Sequence, residues 1–278
     1  MTPLLLISSV FAIALLAGFA GSLLGLGGGI IVVPALTLIF GVDIRLAIGA
    51  SIISVIATSS GAAAAYVKEN LANLRVAMFL EIGTTLGAIS GAYLAGIVHT
   101  RFLFILFGLL LAWSAFAMLQ KRPAAHGAAY ASPLADRLRL HSSYFDEAIG
   151  QAVDYRVTRP LTGLGLMYLA GAASGLLGIG SGALKVPAMD LAMRLPMKVS
   201  TATSNFMIGV TAAASAGLYF VRGDIDPVLA APVAAGVLFG ATIGSRFLGR
   251  LESRVIRAVF VVVLVVVSVQ MLVRGVVL

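Results

Sequence analysis

The sequence predicts an all-α polytopic membrane protein built as two inverted-topology repeats of about five transmembrane elements each. Three observations predict it. First, 60% of the 278 residues are hydrophobic and only 11% are charged, against about 25% charged in soluble domains. Second, the apolar runs approach or exceed the ~20 residues that cross a bilayer as helix. Third, Gly25-Leu26-Gly27-Gly28-Gly29 with Pro34 returns as Gly178-Ile179-Gly180-Ser181-Gly182 with Pro187, an offset of 153. The same offset pairs Ser51 with Ser204, Tyr66 with Tyr219, Gly83 with Gly236, Gly87 with Gly240, Gly91 with Gly244 and Phe107 with Phe260.

The elements follow in order. Residues 1–120 form the first transmembrane repeat, with apolar segments Leu4–Leu24, Ile30–Phe40, Leu46–Val67, Val76–Val98 and Phe102–Gln120. Residues 161–278 form the second, with Leu161–Leu177, Ala183–Met193, Val199–Val221, Val228–Phe247 and Val255–Val273. A membrane barrel needs alternating strands of about ten residues, so these runs read as helices. The second segment of each half is short. Eleven residues rise about 16 Å at ~1.5 Å each, roughly half the hydrocarbon core. Between the repeats, 121–160 is a polar linker with Lys121, Arg122, Arg137, Arg139, Arg156 and Arg159. Tyr144-Phe145 and Val153–Val157 suit a small hairpin around Gly150; a connecting loop is the plainer alternative.

Charge sets the parity. With five crossings per repeat and the linker in the cytoplasm, fourteen Lys and Arg fall inside and four (Arg45, Arg101, Arg222, Arg274) outside. With four crossings the division is ten to eight, with hardly any bias. The positive-inside rule therefore selects the odd number, which inverts one half against the other and leaves both termini outside. The net charge of +8 sits at the ends of apolar runs, so it reads as topology and not as nucleic-acid binding. There is no cysteine, hence no disulfide and no thiolate metal site. The amino terminus lacks a basic leader, and its apolar run leads into the glycine motif, so it reads as a retained helix.

Consecutive glycines break a helix, each by about 1 kcal/mol relative to alanine. The freed backbone groups are tolerated at membrane depth only where they line a cavity or are covered by protein. Where helix resumes, N–H groups and the positive dipole end favour an anion. Gly25, Gly27, Gly28, Gly29, Gly178, Gly180, Ser181 and Gly182 are therefore the candidate binding loops. The spacing of four in Gly83, Gly87 and Gly91, and in Gly236, Gly240 and Gly244, reads instead as close helix packing. Ser51, Thr203, Ser204 and Asn205 are candidate substrate contacts; Thr58 and Thr211 read as bonded to their own helices. Lys185 stands where the first repeat has Val32 and would reinforce an anion site, or else pair with Asp190. Arg194 is also spaced to meet Asp190. Glu81 is the one acid of its apolar segment and the candidate for proton coupling. His99 borders a loop.

These residues resemble the TauE/SafE family. The marks are Gly18-Phe19-Ala20-Gly21 leading into the first glycine motif, Ala47-x3-Ser51, and the second copy from Gly171 to Pro187 with Ala202-Thr203-Ser204-Asn205. The resemblance implies a multi-pass transporter of the bacterial cytoplasmic (inner) membrane that moves sulfite, organosulfonates or related small anions. The expected function is a secondary transporter that exports such an anion by alternating access. It needs no cofactor, and its partners are the anion, the lipid bilayer and a second copy in a homodimer. The alternatives are an anion channel and a carrier for a carboxylate. No GxxxxGK[ST] is present to bind ATP, and no HExxH or GxSxG to support an intramembrane enzyme.

Overall fold

The computed structural model describes residues 3–119 and 132–277; Lys121, Arg122 and His126 of the linker lie outside the described residues. The first half contains α1 (Pro3–Leu24), α2 (Gly29–Pro34), a π-helical turn (Ala35–Ile39), α3 (Ile44–Lys68), α4 (Leu74–Ala95) and α5 (Thr100–Leu119). The linker holds α6 (Pro133–Arg137) and two strands, β1 (Ser142–Asp146) and β2 (Gln151–Tyr155). The second half contains α7 (Pro160–Leu177), α8 (Gly182–Pro187), a π turn (Ala188–Ala192), α9 (Met197–Val221), α10 (Pro227–Ser245), a single 3₁₀ turn (Leu248–Arg250) and α11 (Ser253–Val277). Among the described residues, eight helices are long and apolar enough to cross a membrane.

The repeat offset recurs in local structure. α8 and α9 begin and end 153 residues after α2 and α3. Asn73 caps α4 by accepting from Val76 N at 3.1 Å, and Asp226, its equivalent, caps α10 by accepting from Val228 N at 2.9 Å. Pro34 and Pro187 each close a short helix and open a π turn. Proline has no N–H to donate one turn back, and a π turn absorbs that gap.

Close packing of small residues joins the halves. Gly83, Gly87 and Gly91 on α4 lie against Leu164, Tyr168 and Ala172 on α7. Gly236, Gly240 and Gly244 on α10 lie against Phe11, Leu15 and Phe19 on α1. At Gly87 and Gly240 an added Cβ would collide with the backbone oxygen of Tyr168 and of Leu15. The packing role expected for these glycines is what the geometry provides. Both pairs run in the same direction. The equivalent helices α5 and α11 run in opposite directions: Arg101 donates to Gly275 O, Ser268 to Gly108 O and Arg257 to Met118 O. As α5 advances, its partners on α11 recede.

The linker folds back onto the bundle. Residues 142–155 adopt the hairpin, with Tyr144 opposite Val153 and Gly150 in the turn at φ 65°. The connecting-loop alternative is thus set aside. Asn73 Nδ2 donates to Leu140 O and to the Tyr155 hydroxyl, both at 2.9 Å, and Arg75 donates to Arg139 O at 3.0 Å. Lys198 Nζ, fully buried, meets Asp146 Oδ1 at 2.7 Å. Leu140, Tyr144 and Val157 bury into the same apolar core as the transmembrane helices. Burial raises the Asp146 pKa, but the Lys198 ammonium, with help from Ala148 N–H and the Tyr144 hydroxyl, more than reverses this and holds the carboxyl below the usual carboxylate range.

Candidate functional site

The two glycine loops cross at the centre of the bundle. Gly182 lies against the Gly25 carbonyl and the Leu26 backbone, and Gly29 against Ser51 Oγ and the Gly178 carbonyl. A side chain at Gly182 would overlap the other loop's backbone, and one at Gly29 would displace the Ser51 hydroxyl that reaches that loop, so glycine suits the crossing at both places. Val55 on α3 and Ile208 on α9, equivalent under the offset, close over Gly27 and Gly180. All of Gly25–Gly29 and Gly178–Gly182 are buried. The copies differ at one place: Gly28 is right-handed (φ −59°) and Ser181 is left-handed (φ 59°), its hydroxyl turned to Gly180 O at 2.6 Å. That left-handed serine stores strain that a glycine would not.

Reciprocal hydrogen bonds hold the broken ends. Ser51 Oγ donates to Gly178 O at 2.6 Å, and Ser204 Oγ to Gly25 O at 2.7 Å. Tyr66 OH donates to Ser22 O at 2.8 Å, and Tyr219 OH to Gly175 O at 2.6 Å. Thr58 Oγ1 accepts from Gly28 N at 3.1 Å. These groups satisfy backbone that the glycines release inside a membrane, where each unmet group is costly. In this structure Ser51 and Ser204 thus spend their hydroxyls on the opposite half's loop. The two tyrosines were not singled out in sequence, although their shared offset was the available signal.

The second half adds polar groups that the first lacks. Ser200, Thr201 and Asn205 stand where the first half has Ala47, Ile48 and Ile52. All three are buried, and Ser200 Oγ, Thr201 Oγ1 and Asn205 Oδ1 have no hydrogen-bond partner among the described residues. Asn205 Nδ2 donates to Ser22 O at 2.6 Å, and Thr203 Oγ1 accepts from Asn73 N at 3.0 Å. Thr203 therefore anchors the start of α4.

Lys185 lies in the last turn of the six-residue α8, fully buried. Its Nζ donates to Thr211 Oγ1 at 2.6 Å and lies 3.7 Å from Glu81 Oε2. Thr211 Oγ1 in turn lies 2.6 Å from Glu81 Oε1. Three helices, α8, α9 and α4, thus converge on one ammonium, one hydroxyl and one carboxylate. The spacing arguments for Asp190 fail here. The π turn that carries Asp190 directs it to Arg257 of α11, at 2.6 Å, and neither Lys185 nor Arg194 takes it. Thr211, read from sequence as bonded only to its own helix, does reach Met207 O at 3.1 Å, but it also bridges the charged pair. Glu81 is mostly withdrawn from the surface; its side chain is 14% exposed and borders an open groove of about 610 Å³ between α4 and α9. Ala77, Met78, Ile82, Leu86, Phe206 and Met207 are among its other walls. His99 is exposed. The glycine crossing and the charged pair are therefore neighbours along α8, but in this structure the ammonium turns to Glu81.

The chain resembles known membrane proteins in sequence. The family profile described as "Sulfite exporter TauE/SafE" matches residues 10–271. A "Probable membrane transporter protein YunE" of Bacillus subtilis (strain 168) is 29% identical over 235 residues, 82% of this chain and 83% of the relative. A "Probable membrane transporter protein" of Xylella fastidiosa (strain 9a5c) is 32% identical over 196 residues, 70% of this chain and 66% of the relative. No solved structure matches the chain.

Proposed function

The chain belongs to the TauE/SafE family of membrane transporters, and on that premise we propose that it exports sulfite or a small organosulfonate by alternating access. The two halves are inverted across the membrane and rock about the glycine crossing. The antiparallel course of α5 and α11 supports inversion, because a twofold axis in the membrane plane reverses equivalent helices. The charge count supports a cytoplasmic linker. The filled crossing favours a carrier over a standing pore.

One observation carries the anion reading: a fully buried lysine stands beside the crossing, in one half only. A lone buried ammonium costs several kcal/mol, so a lysine at membrane depth is a functional group by default. The glycine loops, Ser51, Thr203, Ser204 and Asn205 form the remaining candidate surface. Ser200 and Thr201 join it, since their unmet hydroxyls suit the oxygens of an anion in another state of the cycle.

Two measurements test the reading. Purified protein is screened by thermal shift against sulfite, sulfate, taurine, sulfoacetate and carboxylate controls. A ligand at a hundred times its Kd stabilises by about 2.7 kcal/mol. A sulfur oxyanion is expected to stabilise most; a carboxylate doing so instead would replace the substrate class. The chain has no cysteine, so Arg101→Cys and Arg250→Cys can be labelled separately in intact cells. Opposite sides are expected, and labelling from one side would refute inversion.

A further inference from the structure

We propose that Glu81 and the transported anion are alternative partners of Lys185, so that one proton is bound to Glu81 for each monovalent anion carried. This rests on the anion reading above and adds its coupling and its charge class.

The geometry is that of a loose, replaceable pair. Lys185 Nζ has no exposure and is hydrogen-bonded to Thr211 Oγ1, while Glu81 Oε2 stays 3.7 Å away. That oxygen is buried and makes no hydrogen bond. Glu81 is therefore held by one oxygen, Oε1, which accepts from Thr211 at 2.6 Å and from Thr85 at 3.3 Å, and its second oxygen is open to a proton. Glu81 protonated on Oε2 keeps its link, because Oε1 still accepts from the Thr211 hydroxyl, 2.6 Å away in this structure. Lys185 is then left without a counter-charge. Glu81 also borders an open groove between α4 and α9, which gives its carboxyl a way out of the bundle.

The cost of a net charge in a buried site couples the two events. Empty, the site holds one ammonium and one carboxylate. Loaded, it holds one ammonium, one anion and one neutral carboxylic acid. Both states are neutral overall, and both avoid an unpaired buried charge, which costs several kcal/mol. The proton enters on Glu81 Oε2 as the anion arrives and leaves as Lys185 recovers the carboxylate. Anion with ionised Glu81 carries a net negative charge, and protonated Glu81 without anion a net positive one. A dianion such as sulfate leaves the loaded site negative, so the class carried is monoanions: hydrogensulfite and sulfonates.

The surrounding charges do not supply a substitute. On the π turn after α8, Asp190 is taken by Arg257 of α11. α5 contributes Ser114, hydrogen-bonded to Ala183 O, and α7 carries no charged residue between Pro160 and Leu177. On α9, Lys198 pairs with Asp146 and Arg222 with Asp224 just beyond its end. On α4, Arg75 is turned to Arg139 O, and Tyr168 of α7 reaches Ser90. The offset equivalent of Glu81 is Ala234, so the device exists once per chain.

The test uses the full chain in detergent, with methanesulfonate and sulfate as probes, because neither titrates between pH 5.5 and 8.5. Calorimetry in buffers of different ionisation enthalpy counts protons. The expected result is uptake of about one proton per methanesulfonate, with affinity falling as pH rises, and no comparable sulfate binding. Glu81→Gln is expected to bind methanesulfonate without proton uptake and without pH dependence, and Lys185→Ala not to bind it. Binding of methanesulfonate to the unmodified chain with no proton uptake overturns the exchange but leaves the anion reading standing. No binding of either probe at any pH overturns both. The proton count needs no variant, so misfolding of Glu81→Gln does not shelter the proposal.

Discussion

Lys198→Met and Asp146→Ala, singly and together, test how the linker hairpin is tied to the bundle. Lys198 has no exposure, and its Nζ lies 2.7 Å from Asp146 Oδ1. At that distance the attraction is about 6 kcal/mol with an effective dielectric of ~20. Desolvation of both groups offsets most of it, so the net worth of the pair is small. Breaking it from one side is a different matter. Asp146→Ala removes the carboxylate from a cation that cannot reach water, and is expected to destabilise by about 3–5 kcal/mol. Lys198→Met leaves a carboxylate that still accepts from Ala148 N at 3.0 Å and from the Tyr144 hydroxyl at 3.1 Å. Its loss is expected at about 1–3 kcal/mol. The double variant removes both charges and is expected to recover most of the loss, because a methionine fills the lysine channel. The assay is thermal unfolding in mild detergent, with hydrogen exchange of residues 142–155 as the local readout. Additive losses in the double variant would refute the buried-pair argument, since independent sites add and coupled ones do not.

Three further outcomes follow from the same geometry. The depressed Asp146 pKa adds stability that is present in full above the ordinary carboxylate range and is lost as pH falls through the folded value. Hairpin protection is therefore expected to be flat from pH 8 to about 5 and to drop below about 4, and a drop near neutrality would contradict the assignment. Gly182→Ala places a Cβ against the Gly25 carbonyl and is expected to lower stability by at least about 1–3 kcal/mol as an overpacked crossing, while Gly217→Ala on α9, where nothing lies within 4 Å, serves as the neutral control by melting temperature. Tyr219→Phe leaves Gly175 O without its 2.6 Å donor and is expected to cost about 1–3 kcal/mol; a matching loss in Tyr66→Phe would show that the two halves use the same tie.

Much of the fold was legible because its signals are local. Apolar runs marked the long helices, the offset marked the second half, and four-residue glycine spacing marked α4 and α10 as closely packed, though not that α7 and α1 are their partners. The candidate site was legible only in its members. Lys185, Glu81 and Thr211 lie on three helices, and no sequence spacing relates residues that meet only after packing. Spacing even misled at Asp190. It lies five residues from Lys185 and four from Arg194, as a continuous α-helix would pair them, but the π turn after Pro187 changes its bearing and delivers it to Arg257. The hairpin was half legible: β-branched and aromatic residues flanked Gly150, but its docking depends on Asn73 and Lys198, residues of helices distant in sequence. Ser51 and Ser204 were visible as a pair, yet their service to the opposite glycine loop required the crossing itself.

The most direct test of the central claim is flux. Purified protein is reconstituted into liposomes loaded with isotopically labelled sulfite, and efflux is followed against internal concentration. The account predicts saturable efflux, competed by small sulfonates, lost in Lys185→Ala and without unitary currents in a planar bilayer. Efflux that rises linearly without saturation, accompanied by unitary conductance and unchanged in Lys185→Ala, would contradict it.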